Sequence, residues 1–120
     1  MRFLMLELGG RSAAERPTGS FGEAIGAYED DLRTAGVVLA SETLHPSRTA
    51  TSVRFGDGDP VVLDGPSGPT GLIVRGFRIL EVRSAADAVA WARRCPLDRS
   101  LAPGERAEIA IHEIDDGPPW

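Results

Sequence analysis

The chain has 120 residues, of which 42% are hydrophobic, and this length suits one domain and is too short for two. Its formal net charge of -5 argues against general binding to nucleic acid or to an anionic membrane, since both require a basic surface. No apolar run approaches the roughly 20 residues of a membrane span, and the apolar N-terminal stretch is too short for a signal peptide. We therefore expect one soluble, cytoplasmic domain over residues 1–120.

The first third of the chain has the patterns of a strand and a helix. Residues 2–8 alternate, with Leu4, Leu6 and Leu8 on one side and Phe3, Met5 and Glu7 on the other, which predicts a strand buried on both faces. Ser20 and Glu23 have capping-box spacing and precede an apolar stripe, so a helix is predicted over about 20–35. Gly36 then supplies a C-terminal stop.

The remaining elements predict an α+β fold. Short apolar runs at 37–44, 51–55 and 61–63 indicate three mostly antiparallel strands, and residues 75–82 indicate another. Ser84 opens a second helix, with Asp87 at capping distance and Pro96 ending it. A last strand is predicted at about 106–114. This order indicates a ferredoxin-like antiparallel sheet with two helices on one face and an elaborated central hairpin.

Two helices cannot cover both faces of such a sheet, although several strands carry apolar residues on both sides. The second face therefore needs a partner, and sheet-to-sheet packing in a homodimer would provide one. A ligand cavity would then lie between the sheets or at their rim. The alternative is a monomer in which a long loop folds over that face.

The order of several short motifs resembles the YCII-related proteins, and within them the DGPF branch. The motifs are Leu32 to Val37, Leu44-His45-Pro46, Ala50 to Arg54, Asp64-Gly65-Pro66, Gly76 to Val82 and Ala88 to Pro96. The resemblance spans nearly the whole chain. It implies a dimeric α/β barrel of ferredoxin-like protomers. By resemblance alone it also implies a functional link to an alternative sigma factor.

The chain departs from the family pattern where the family's chemistry is expected. In the classical YCII branch, a histidine in the first helix and an aspartate after the second form the proposed acid/base pair. The first predicted helix has no histidine here, and Cys95-Pro96 stands where Asp-Pro is expected. Ser67 replaces the phenylalanine that usually follows Asp-Gly-Pro. The resemblance therefore assigns no acid/base pair to this chain.

His45 and Asp64 are the candidate catalytic residues. Asp64 ends a strand before a Gly-Pro turn, and a histidine paired with a carboxylate is a plausible general base near neutral pH. In the structural alternative, Asp64 accepts backbone hydrogen bonds in its own turn. His45, which precedes Pro46, then only caps a loop.

The candidate ligand-binding residues are Glu7, Arg54, Arg78 and His112. Arg78 interrupts an apolar run, so burial would require an anionic ligand or a carboxylate partner, for which Glu7 and Glu81 are the candidates. Arg75, three residues earlier, should face the opposite side of the strand. His112 shares its strand face with Glu108, Ala110 and Ile114.

Neither a metal nor a cofactor is expected, because two histidines with scattered carboxylates form no metal signature. The lone Cys95 excludes an intramolecular disulfide and a cysteine-based zinc site. Two functional hypotheses result. The first is a homodimeric small-molecule binding or regulatory module with its site between the sheets. The second is a small lyase, isomerase or hydrolase that uses His45 with Asp64.

Overall fold

The computed structural model describes residues 1–9, 19–44, 50–64 and 73–117. In these ranges the helices are α1 (Gly19–Ala35) and α2 (Ala85–Arg94), and a short 3-10 helix covers Leu97–Ser100. The strands are β1 (Arg2–Gly9), β2 (Val38–Thr43), β3 (Thr51–Arg54), β4 (Val61–Asp64), β5 (Ile73–Glu81) and β6 (Ala107–Glu113). The strand and helix positions predicted from sequence are confirmed, whereas the 3-10 helix was not expected.

Four strands form one antiparallel sheet in the order β2-β5-β1-β6. The first strand therefore lies inside the sheet, between β5 and β6. With one helix after β1 and another after β5, this is the connectivity expected of a ferredoxin-like α+β fold.

Both helices pack on the same face of this sheet. The core cluster joins Phe3 and Met5 of β1 with Leu80 of β5, Tyr28 and Leu32 of α1, and Ala88 of α2. Met5, Leu32 and Leu80 are fully buried and anchor it. Successive side chains of a strand alternate between the two faces of a sheet. Every second residue of these strands therefore faces away from the helices.

The side of the sheet that faces away from the helices is termed the open face. Its central residues are Leu4, Leu6 and Leu8 of β1 and Phe77 and Ile79 of β5, which pair as Leu4 with Ile79 and Leu6 with Phe77. None of them belongs to the core cluster, and each is only partly buried. The prediction that β1 is buried on both faces is therefore confirmed only for the helix side, where Phe3 and Met5 are buried.

Strands β3 and β4 form a separate two-stranded sheet, termed the hairpin arm (Thr51–Asp64). Gly58, in the connecting loop, has a φ of 92°, a left-handed conformation that glycine adopts without steric strain. The arm therefore corresponds to the elaborated hairpin predicted from the sequence, but its strands form a sheet of their own.

The helix ends follow their local sequence signals with one difference. Ser84 caps α2, since its hydroxyl accepts a hydrogen bond from the Asp87 backbone N–H at 3.1 Å. Gly36, with a φ of 71°, ends α1, and the next N–H bonds the Leu32 carbonyl oxygen. Helix α1 begins at Gly19, so Ser20 lies within its first turn and is not the capping residue proposed from its spacing to Glu23.

Candidate functional site

A buried guanidinium organises the polar interior on the helix side of the sheet. Arg78 lies among the side chains of Glu7, Tyr28, Glu29, Ser41 and Cys95, and these six residues are termed the Arg78 cluster. They come from β1, α1, β2, β5 and the residue after α2. The Arg78 cluster therefore connects most of the elements around the core.

The strand register explains why these side chains meet. Arg78 pairs with Met5 on β1 and with Ser41 on β2, so all three point to the helix side. Glu7 follows Met5 by two residues and shares that side. Gly76, its pairing partner, leaves room between the strands, because a Cβ there would lie 2.9 Å from the Glu42 carbonyl oxygen.

Two carboxylates hold the Arg78 guanidinium. Its Nε donates to Glu29 Oε1 at 2.8 Å, one terminal nitrogen donates to the same oxygen, and the other donates to Glu7 Oε1. The guanidinium also stands over the Tyr28 ring, with its central carbon 5.2 Å from the ring centroid. Within the described ranges, no buried side-chain nitrogen or oxygen lacks a hydrogen-bond partner. The charge of Arg78 is thus fully compensated inside the protein.

The electrostatics keep Arg78 charged. Burial lowers the pKa of its guanidinium, but the charges and hydrogen bonds of Glu7 and Glu29 outweigh burial, and the net pKa is raised. The three groups together carry one excess negative charge. Burial lowers the pKa of a second cation, Arg75, and the negative charge of Glu7 offsets only part of this decrease.

Arg75 stands at an irregularity of β5. The pairing with β1 shifts between Glu7 and Leu8, so that Gly76 and Val74 have partners in β1 while Arg75 is the additional residue of a bulge. The bulge interrupts the strict alternation from which opposite orientations of Arg75 and Arg78 were predicted, and that orientation stays a prediction. Both arginines interact electrostatically with the Glu7 carboxylate.

The two weak acids of the Arg78 cluster are kept protonated. Burial, with the Glu7 charge as the second cause, raises the pKa of the Cys95 thiol to about 12. Burial also raises the pKa of Tyr28 far above its ordinary value, and its hydroxyl donates to the Trp91 carbonyl oxygen at 2.8 Å. Neither group is an activated nucleophile or base at neutral pH, so the cluster provides fixed charge and hydrogen bonding.

The structure brings together Glu7 and Arg78, two of the four predicted ligand-binding residues. Glu7 is the carboxylate partner of Arg78, whereas the alternative, Glu81, is exposed. Glu7 and Arg78 lie on the helix side of the sheet, so they do not line the open face. Their predicted contact with a ligand stays a prediction.

The other predicted residues are dispersed. Arg54 is exposed on the hairpin arm, and Asp64 is exposed at the end of that arm, paired with Thr51. His112 lies on β6 opposite Leu4, at the margin of the open face, with Glu108 on the same side as predicted. His45 lies outside the described residues, so its pairing with Asp64 also stays a prediction.

Sequence reasoning missed Glu29 and Tyr28. A usable signal was present, because Ile25, Tyr28, Glu29 and Leu32 have the helical spacing of one buried stripe. A carboxylate within such a stripe requires a buried cation, and Arg78 is the buried cation that the strand pattern had already indicated.

A shallow cleft of about 330 Å³ separates α1 from the end of α2. Asp31 and Arg94 bridge its walls at 2.8 Å, and Arg94 stacks over Trp91 at 4.4 Å from the ring centroid. Asp31 and Arg94 are each about half exposed, and such ion pairs contribute little to stability. The cleft therefore has the features of a solvated seam between two helices.

Comparison with models of protein families matches the YCII-related domain over residues 1–115. The chain belongs to the YCII-related family. A search of the curated proteins found none that matches this YCII-related chain. Across the part of the YCII-related protein that the structure describes, no helix is long and apolar enough to cross a membrane. Within the same part, no three His, Cys, Asp or Glu side chains are grouped so that they could hold a metal ion.

Proposed function

We propose that this YCII-related protein is a homodimeric small-molecule binding or regulatory module. Two copies pack their open faces together, and the ligand lies between the sheets. The observation that carries the proposal is the open face itself, where Leu4, Leu6, Leu8, Phe77 and Ile79 form a continuous apolar surface that the helices of the same protomer leave uncovered.

The size and chemistry of the open face suit a second copy of itself. Four strands at about 4.8 Å spacing and about seven residues long give a face of roughly 450 Å². Its apolar centre is smaller than the whole face, and apolar patches of a few hundred Å² on soluble proteins are often functional. A self-complementary interface also needs only one surface, which a two-fold axis pairs with its own copy.

The ligand class follows from the composition of this face. Its centre is aliphatic and aromatic, while Glu42 on β2 and Glu108 and His112 on β6 stand at its two edges. An apolar cavity with a few polar groups at its margin suits a small, largely apolar molecule with polar substituents. The Arg78 cluster, on the other side of the sheet, supports this face from behind by fixing β1, β2 and β5.

Sedimentation velocity of the wild-type protein and of Leu6→Arg tests the assembly. Leu6 lies at the centre of the open face, so the buried charge should convert the dimer to monomer with unchanged circular dichroism. Val89→Arg makes the same kind of change at an exposed position of α2 and should leave the dimer intact. A wild-type protein that sediments as a monomer at micromolar concentration would refute the dimer.

Native mass spectrometry tests the ligand. The wild-type dimer should retain a small molecule from the expression host, or bind one from a metabolite mixture, whereas the Leu6→Arg monomer should retain none. Equal retention by both proteins would place the ligand away from the open face. A dimer that binds nothing from the host or the mixture would contradict the binding function.

A further inference from the structure

The hairpin arm exposes more apolar surface than a free hairpin should. Phe55 is 77% exposed, Val62 66% and Val53 50%. Isolated two-stranded hairpins are marginally stable in water and usually require a packing partner. The arm is also outside the main sheet, so these side chains do not extend the core.

The register places two of these side chains on one face of the arm, because Val53 pairs directly with Val62. Phe55 directly follows the last residue of β3. Ser52 and Leu63 form the neighbouring pair on the other side and are partly buried. Val61, on the same side as Leu63, is 53% exposed, so the arm exposes apolar side chains on both faces, and the most exposed are Phe55 and Val62.

We infer that the hairpin arm packs its exposed apolar side chains, Val53, Phe55 and Val62, against a second copy of this chain. The inference rests on the proposed dimer and adds a second contact to it. Each protomer would extend its arm over its partner and receive the partner's arm in return, as a two-fold axis requires.

The area of the interface favours a second copy over another partner. The open face supplies roughly 450 Å² per protomer, whereas a stable interface typically buries about 800 Å² per partner. A two-stranded arm of about five residues covers roughly 150 Å². In a two-fold dimer, each protomer buries this area on its own arm and again on the surface that the partner's arm covers. The two contacts together approach the area of a stable dimer.

The dissociation constant of Phe55→Ser/Val62→Thr, measured by sedimentation or fluorescence dilution, tests the inference. Because two arms lose their apolar contacts at once, the constant should rise about 100-fold over wild type. The monomer's thermal stability should change little, since the Phe55 and Val62 side chains are mostly exposed in their own protomer. Val89→Thr, an exposed apolar position on α2, is the matched control and should leave both quantities unchanged.

Photo-crosslinking identifies the surface that the arm contacts. A benzophenone amino acid at position 55, in a mixture of isotopically light and heavy protein, should yield crosslinked peptides that combine the two isotopes. Crosslinks within one isotope only would show that the arm packs on its own chain and would overturn the inference. A dimer with an unchanged constant in the double variant would also overturn it while leaving the proposed dimer standing. A monomeric wild type would refute both.

Discussion

Removing the buried guanidinium should destabilise the protein strongly. In Arg78→Met, a side chain of similar length but without charge, Glu7 and Glu29 remain in the interior without their cation. The side chains of Arg78, Glu7 and Glu29 are 6%, 14% and 23% exposed, so water screens them weakly. Removing one partner of a buried ion pair costs about 3–5 kcal/mol, and the partial exposure of Glu29 favours the lower end.

The loss is large compared with the total stability of a domain of this size. A decrease of about 3 kcal/mol is a substantial part of the roughly 5–15 kcal/mol typical of single domains, and should lower the Tm by about 10 °C. Urea unfolding followed by circular dichroism measures it. Arg33→Met is the control, because Arg33 forms an exposed ion pair with Asp30 and should lose less than about 0.5 kcal/mol.

A second substitution separates charge from packing. Glu7→Gln should destabilise the wild-type protein but stabilise Arg78→Met, because in that background it removes one of two opposed carboxylates. If Arg78→Met loses less than about 1 kcal/mol, or if Glu7→Gln has the same sign in both backgrounds, the electrostatic account of the Arg78 cluster is wrong.

Three further predictions follow from single contacts. Gly76→Ala should cost about 1–3 kcal/mol in urea unfolding, because the added Cβ lies 2.9 Å from the Glu42 carbonyl oxygen, and a loss near zero would show that the strands separate freely. Native Cys95 should resist alkylation at pH 8 and react at the rate of unfolding, since its pKa is about 12. Because this folded-state pKa exceeds the ordinary value, the thiol's contribution to stability is complete below about pH 8.5 and is lost as the pH rises toward 12. A free energy of unfolding that increases between about pH 8.5 and 12 would contradict the raised pKa. Ser84→Ala should cost about 1 kcal/mol by loss of the hydrogen bond to the Asp87 N–H, which Ser84→Asp should retain.

The sequence was sufficient to predict the fold because its strands and helices carry regular patterns. The alternation around Leu4 and the cap at Ser84 predicted elements that the structure contains, and the order of elements predicted the ferredoxin-like sheet. The alternation also assigned the residues of β1 to two faces, and it indicated that two helices would leave one apolar face of the sheet without a covering layer. Local patterns of this kind need only short-range information.

The candidate site was harder to predict because it depends on register and on contacts between distant elements. Glu7 could be proposed as the partner of Arg78, but Glu29 reaches the guanidinium from a helix, and no strand pattern indicates it. The bulge at Arg75 breaks the alternation on which its predicted orientation depended. The exposure of Phe55 and Val62 on the hairpin arm likewise depends on tertiary packing, which a local pattern does not reveal.

The position of β1 inside the sheet also constrains the order in which the fold is completed. Among the described strands, this first strand hydrogen-bonds to β5 and β6, which follow it by more than 60 residues, and the Ile114 N–H donates to the Arg2 carbonyl oxygen. During translation, both edges of β1 therefore remain unpaired while most of the chain is made. Such long-range pairing is slow to form, so completion of the sheet around β1 should be a late step in folding.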